Sequence, residues 1–349
     1  MPVKKKEFDL SAFKKKNGLN NDVKDKDLEW IPLSQAFHDV TGLPGLPKGY
    51  VILSRGYSNT GKSTSMIEGI VSCQKLGILP VIMDTENSFN WQHARDMGME
   101  FEEIIDEETG EVVNYDGFFI FVNNDDLHNN YGKKRNKDLH EAVIEDVAEF
   151  MHDLLDKQAN GELDKELCFF WDSIGTLDCE KCVTGKNRNN MWNAAAMEIS
   201  FKSLVNSRIP GSRKENKPYT NTFFAVQKIW LDNENKVIKH KGGEAMFYAA
   251  RIIIHFGGII THGTKKHAAT LNKKDYVWGT EVKVEVIKNQ ITGLTYKGSI
   301  ISTAHGFITD AMADKYKRAN RAFFLQKLGE VDGDITFKEE EVAGGPESD

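Results

Sequence analysis

Residues Gly56 to Thr64 read Gly-Tyr-Ser-Asn-Thr-Gly-Lys-Ser-Thr, a G-x-x-x-x-G-K-S pattern. An apolar run, Tyr50-Val-Ile-Leu-Ser-Arg55, precedes it. A helix-like stretch, Ser63–Leu76, follows, with Met66, Ile67, Ile70 and Val71 on one face. Strand, glycine turn and helix in that order constrain this chain more than any other feature. Such a turn points backbone N–H groups at an anion on the helix N-terminus, where the dipole also favours negative charge. Gly56, Ser58, Asn59, Thr60, Gly61, Lys62, Ser63 and Thr64 are the expected phosphate cradle. Lys62 is placed to reach the terminal phosphates and the Ser63 hydroxyl to ligate magnesium. A glycine turn that binds nothing is the alternative, and the framing strand and helix argue against it. The chain is therefore expected to bind a nucleoside triphosphate.

Composition sets outer bounds. The 349 residues suffice for one large domain with appendages or for two domains. No run of 18 apolar residues predicts a membrane span. The start, Met1-Pro-Val-Lys-Lys-Lys, lacks an apolar segment of the secretory type, so a cytoplasmic location is expected. Four cysteines suit a reducing compartment. Cys179 and Cys182 form one C-x-x-C, and no second ligand pair follows at zinc-site spacing. A net charge of −7 opposes non-specific coating of nucleic acid by the whole surface. Charge is unevenly spread, however. Basic clusters occur at Lys4–Lys6, Lys14–Lys16, Lys133–Arg135 and Lys236–Lys241, while Glu330–Asp349 holds eight acids and one lysine.

Residues 1–28 are lysine-rich, with Phe8 and Phe13, and read as a mobile tail or a docking arm. Strands are predicted at Val51–Arg55, Pro80–Asp84, Phe118–Val122, Leu167–Asp172, Thr222–Val226, Arg251–His255, Val282–Ile287 and Gly298–Ser302. Helices are predicted at Ser63–Leu76, Asn90–Met97, Leu139–Lys157 and Met191–Asn206. This alternation predicts an α/β fold, with a mostly parallel twisted sheet, helices on both faces and an antiparallel edge. Residues 107–112, Glu-Glu-Thr-Gly-Glu-Val, read as a hairpin turn. Asp178–Asn190 and Leu231–Gly243 read as loops leaving the carboxyl ends of strands, where open α/β sheets bind ligands.

Three features follow the phosphate loop. Pro80-Val-Ile-Met-Asp84 leads into Thr85-Glu86, and a carboxylate here can polarise the water that attacks a γ-phosphate. Glu86 and Asp84 compete for that role, and a helix cap is the other reading. Leu167–Asp172 is an apolar strand ending in a carboxylate, either a magnesium-holding aspartate or a cap. Phe223–Lys228 ends an apolar strand in Gln227, either a γ-phosphate contact or a solvated strand end.

These parts, in this order, resemble the RecA-type recombinases, and most closely their bacteriophage UvsX-like branch. The resemblance runs from about Trp30 to Asp310. It includes Thr41–Gly49, Met83–Asn87, His93–Gly98, Trp171–Leu177, Gly242–Ala249, Val286–Asn289 and the Gly298–Ile308 strand pair. It implies a RecA-like P-loop ATPase core at residues 29–312. An N-terminal arm (1–28) would dock on a neighbouring subunit, and a short C-terminal helix (Lys315–Leu328) with an acidic tail would make up residues 313–349. It also implies that Glu86 is the general base, that Ser63 and Asp172 serve magnesium, and that His93 stacks on adenine. Gln227 would sense the γ-phosphate. Lys288 would reach a neighbour's ATP, making hydrolysis depend on assembly; the alternative is a surface lysine that blunts an edge strand.

Asp178–Asn190 and Leu231–Gly243 fall at the family's two DNA loops. The candidate contacts are Lys186, Arg188, Lys236, Lys239, Lys241, Gly242 and Gly243. Lysines there would neutralise phosphates. Trp192 and Trp230 flank the loops, as base-stacking platforms or as buried anchors. Two departures stand out: Gln290 replaces a second lysine of the cellular family, and the hairpin at Thr109-Gly110 resembles an insertion. The implied function is ATP- and magnesium-dependent strand exchange by a helical homo-oligomer on single-stranded DNA, paired with duplex DNA. A single-strand-binding protein and a loading mediator are the implied accessory partners. A hexameric RecA-fold helicase and a non-enzymatic ATP switch are the alternatives. The short N-terminal segment argues against the helicase, and the full Lys62, Glu86, Asp172 set argues against the switch.

Overall fold

The computed structural model describes residues 8–19, 24–185, 190–232, 237–240, 244–257 and 264–341. Among them a 12-stranded sheet organises the chain. Its strands are β1 (Val51–Gly56), β2 (Leu79–Asp84), β3 (Ile120–Asn123), β4 (Leu167–Ile174), β5 (Thr222–Asp232), β6 (Val237–His240), β7 (Ile252–Phe256), β8 (Thr264–Leu271), β9 (Lys274–Asn289), β10 (Lys297–Thr303), β11 (Gly306–Ile308) and β12 (Thr336–Glu341). The spatial order is β11-β10-β9-β7-β1-β5-β4-β2-β3. From β7 to β3 neighbouring strands are parallel. From β7 outward through β9, β10 and β11 pairing is antiparallel, and β8 bridges β9 to β12 in the same sense. The predicted α/β fold with a mostly parallel sheet and an antiparallel edge is what the chain adopts, consistent with a RecA-like core.

Side chains alternate across strands, so each central strand feeds two cores. Ile52, Ile82, Phe170, Phe224 and Ile254 face one side, where α1 (Lys62–Leu76) packs Met66, Ile67 and Ile70. Leu53, Met83, Phe169, Trp171, Phe223 and Ile253 face the other. There they meet α2 (Ile144–Ala159) and α3 (Asn190–Ser203), with Phe201 stacked 5.2 Å from Trp171. Phe169 and Phe223 are fully buried, and truncating either to alanine costs about 3–5 kcal/mol. A third cluster joins Ala269, Trp278 and Ile301 to Ala313, Phe324 and Leu328.

Several predicted boundaries change. The helix predicted from Leu139 starts at Ile144, where Asp146 accepts the Val143 N–H and fixes the entry turn. Val282–Ile287 is the middle of a 16-residue strand, because β9 pairs in turn with β7, β8 and β10. The Asp178–Asn190 loop contains a helix, Glu180–Thr184. Leu231–Gly243 is in part a hairpin, with Leu231 and Asp232 ending β5 and pairing with β6. The hairpin predicted at residues 107–112 joins Glu102–Ile105 to Val112–Asp116.

At the C-terminal end, two helices stand where one was expected: α4 (Asp310–Ala319), which spans the expected 312/313 boundary, and α5 (Arg321–Leu328). Part of the acidic segment is not a tail, because β12 pairs along β8, setting Glu339–Glu341 opposite His267, Lys266 and Lys265. At the N-terminal end, helix Leu10–Lys16 buries none of its residues. Asp25 pairs with Arg213 (2.9 Å) and Lys214 (2.7 Å), tying the end of that segment to the core.

Candidate nucleotide site

The phosphate loop follows β1 and runs into α1. Asn59 has φ +57° and Gly61 φ +91°, backbone conformations that turn successive N–H groups inward. At Gly56 any side chain is excluded, since a Cβ there would lie 2.2 Å from the Phe256 carbonyl oxygen. Lys62 is buried, and its ammonium donates to the Tyr57 carbonyl inside the loop. Desolvation lowers its pKa to about 8, against the opposing pull of Asp172 and Glu86.

Asp172 and Glu86 converge on this loop from neighbouring strands. The Ser63 hydroxyl donates to Asp172 Oδ2 at 3.2 Å. Asp172 is buried at the end of β4, and desolvation together with the Glu86 charge pushes its pKa up to about 6. The peptide bond after it, Asp172–Ser173, is cis. Glu86 lies just beyond β2. Its Oε1 accepts from the Ser173 hydroxyl, and its Oε2 lies 2.7 Å from Lys228 Nζ. Thr85 ties the segment down: its N–H donates to the Asp172 carbonyl (2.8 Å), and Trp171 Nε1 donates to its hydroxyl (3.0 Å).

Asp84 and Glu86 differ in their partners. Asp84 is buried and accepts backbone N–H bonds from Glu86 (3.2 Å) and Phe89 (2.8 Å), so it shapes the turn that presents Glu86. Neither acid caps a helix, since Asn90 is the N-cap of helix Trp91–Asp96; Asp84 forms the turn, and Glu86 meets Ser173 and Lys228. Gln227 is fully buried beside Arg55 and Ile174, which excludes the solvated strand end.

Three residues were not anticipated from sequence. Lys228 pairs in register with Gly56, the first residue of the phosphate loop, and so reaches Glu86. A basic residue directly after Gln227 was the available signal. Ser173 and Thr85 gave none, being small polar residues beside acidic ones.

His93 is half-buried on the helix Trp91–Asp96, with Nε2 2.8 Å from Met97 Sδ; burial holds its pKa below the usual histidine range. Lys288 lies elsewhere. Its ammonium donates to the Phe247 and Tyr248 carbonyls, both at 3.0 Å, at the end of helix Ala245–Ala249. Of the candidate DNA contacts, Lys239 is exposed on β6, opposite Trp230. Lys186, Arg188, Lys236, Lys241, Gly242 and Gly243 lie outside the described residues. Trp192 is a half-buried anchor packed on the core, with the Lys181 ammonium 4.1 Å above its ring. Cys179 and Cys182 are both buried, and burial raises the Cys179 thiol to about 11.

Ser63 and Asp172 offer a hard divalent cation one hydroxyl and one carboxylate within hydrogen-bond reach of each other; among the described residues no group of three or more acids, histidines or cysteines is placed to hold a metal ion. No helix among the described residues is long and apolar enough to cross a membrane.

Comparison with known proteins gives two findings. Residues 12–113 match the RecA N-terminal domain family, a span holding the phosphate loop, Glu86 and His93 but not Asp172, Gln227 or Lys288. The chain is also similar to Protein RecA of Ureaplasma parvum serovar 3 (strain ATCC 27815 / 27 / NCTC 11736), 30% identical over 88 residues. That match spans 25% of this chain and 26% of the relative. Both findings are likenesses to RecA that cover only part of this chain.

Proposed function

We propose that this chain is a DNA-dependent ATPase of the RecA type that assembles as a helical filament on single-stranded DNA, pairs it with homologous duplex and exchanges strands. One observation carries the reading. Lys62 and Ser63 at the start of α1, Glu86 beyond β2, Asp172 near the end of β4 and Gln227, whose backbone pairs beside Arg55 within β5, lie on adjoining elements around one loop. The matched family and relative support the same class.

In this reading Lys62 and the loop N–H groups bind the triphosphate of ATP, and His93 borders the base. Ser63 and Asp172 would hold Mg2+, which neutralises charge on the β- and γ-phosphates when bound. Glu86 accepts a proton from the attacking water, and Ser173 and Lys228 fix the direction of its carboxylate. Gln227, in the strand that continues into the β5–β6 hairpin, links the γ-phosphate to the second DNA segment. Lys186, Arg188, Lys236, Lys239, Lys241, Gly242 and Gly243 contact DNA phosphates in this proposal. The UvsX-like branch, a bacteriophage origin with action in the host cytoplasm, a single-strand-binding protein and a loading mediator belong to the same proposal and rest on the sequence resemblance.

The test is ATP turnover with and without single-stranded DNA, with negative-stain imaging of the same samples. Strong stimulation with helical filaments supports the proposal. Closed rings that unwind a forked duplex point instead to a helicase. Absence of both stimulation and assembly leaves only a nucleotide-binding protein.

A further inference from the structure

We infer that the hydroxyls of Thr85 and Thr176 are positioning groups for Glu86, and that they tie its direction to the segment leaving β4, Asp178–Asn190. The inference rests on the nucleotide–DNA reading above and names the contacts through which that segment acts on the candidate base.

Thr85 directly precedes Glu86 and is buried. Its hydroxyl meets Trp171 Nε1 (3.0 Å), the Thr176 hydroxyl (2.8 Å) and the carbonyls of Asp172 and Ser173 (both 3.3 Å). Each hydroxyl carries one proton, and an indole N–H can only donate. The Thr176 proton goes to the Ser173 carbonyl at 2.7 Å. Thr176 therefore accepts from Thr85, and Thr85 accepts from the indole. The result is a directed chain from Trp171 through Thr85 and Thr176 to the Ser173 carbonyl, in which each bond polarises the next. Ser173 closes it, because its own hydroxyl donates to Glu86 Oε1. Glu86 is thus held from both ends of the chain, through its peptide bond to Thr85 and through its carboxylate to Ser173.

Joining the two strands does not require this arrangement. Asp84 already pairs in register with Asp172, and the Thr85 N–H donates to the Asp172 carbonyl. A buried indole needs one acceptor, whereas this chain continues to an exposed residue, Thr176. Gly175, with φ +94°, makes the turn that sets Thr176 beside Thr85, a conformation side chains rarely allow.

Both ends of Asp178–Asn190 reach the chain. Thr176 lies two residues before the segment begins. After the segment, α3 carries Phe201, stacked 5.2 Å from the Trp171 ring. Asn193 draws the two ends together: it accepts the Cys179 N–H (2.9 Å) and donates to Asp178 (2.6 Å). A shift of the segment therefore acts on Thr176 from one side and on Trp171 from the other, and Glu86 moves with Thr85 between them.

The experiment uses the full chain, ATP and single-stranded DNA. Thr176→Val removes the hydroxyl at an exposed position and keeps the side-chain shape. It should lower DNA-stimulated kcat by about tenfold to a hundredfold, the cost of a misdirected catalytic group, with KM for ATP within about twofold of wild type. Thr176→Ser should restore most of the rate, and thermal unfolding at the wild-type Tm checks the fold. On a Glu86→Gln background Thr176→Val should add little, because it acts through Glu86. In protein labelled with 5-fluorotryptophan, the Trp171 resonance, assigned with Trp171→Phe, should shift when single-stranded DNA is added. With wild-type stimulation intact, any of three results would overturn the inference: a Thr176→Val kcat within about twofold of wild type, a full additive loss with Glu86→Gln, or a Trp171 resonance indifferent to DNA. Wild type without DNA-stimulated turnover would instead overturn the nucleotide–DNA reading, and this inference with it.

Discussion

Lys228 Nζ lies 2.7 Å from Glu86 Oε2, joining the middle of β5 to the carboxylate beyond β2 beside the phosphate loop. The pair sits at a partly exposed position, so its value is less in stability than in direction. Glu86→Gln should lower kcat by about 10²–10⁴-fold with nucleotide binding retained. Lys228→Met should lower kcat less, and should add little to Glu86→Gln, because Lys228 acts through Glu86. Single-turnover ATP hydrolysis in the two single variants and the double variant measures this; additive losses would separate the two residues.

Asp84 supports the same carboxylate from below. Its side chain accepts two backbone N–H groups while buried, and removing it strands both donors. Asp84→Ala should cost about 1–3 kcal/mol of unfolding free energy. Asp84→Asn keeps an acceptor oxygen and should lose less. Urea denaturation with m-values compared across the three proteins tests it.

Magnesium dependence should follow the Ser63–Asp172 pair. Chelation with EDTA should abolish ATP turnover. Ser63→Ala and Asp172→Asn should each shift the magnesium titration of turnover to higher concentration, while Thr64→Ser, whose hydroxyl bonds Ser302 at 2.7 Å, should not. An unchanged titration in both ligand variants would remove them as metal ligands.

Glu68 predicts a pH effect on stability away from the chemistry. Its carboxylate accepts the Phe307 N–H (2.8 Å) and the Ser34 N–H (3.1 Å), joining α1 to β11 and to the Ser34 turn. Burial raises its pKa above the ordinary 4.5, and those hydrogen bonds oppose the rise only in part. A carboxyl with a raised folded pKa contributes its full stability below the unfolded pKa and loses it as pH rises through the folded value. Glu68→Gln removes this dependence. Its Tm relative to wild type should therefore improve between about pH 4 and about pH 7. A constant difference across that range would contradict the assignment.

The acidic C-terminal strand makes a further prediction. Phe337 packs edge-on to Trp278 (6.5 Å) and Phe324 (6.1 Å), and Glu339 is ion-paired with Lys265. Truncation before Thr336 should lower unfolding free energy by only about 1–2 kcal/mol, since Phe337 is exposed on one side. Deleting only Glu339–Asp349 tests a separate proposal, that the acids compete with DNA for basic loops: affinity for single-stranded DNA should rise at low salt. Unchanged binding would leave β12 a structural strand.

The phosphate loop, the parallel strands and the amphipathic helix behind them were legible because they are local. Strand periodicity, glycine positions and a helix face lie within a dozen residues of one another, and physics at that range is written in order along the chain. Lys62, Ser63, Glu86 and Asp172 could be nominated for the same reason, each following an apolar run. What the sequence left open was settled by registers between distant segments. Asp84 and Glu86 separate into a turn former and a partner of Ser173 and Lys228 only once those residues and Phe89 are in place. Lys228 matters because β5 pairs beside β1. The antiparallel end, with β8, β9 and β12, was the least legible. Its strands are stabilised by one another and by Trp278 and Phe324, contacts made between residues far apart in the chain and invisible until the sheet assembles.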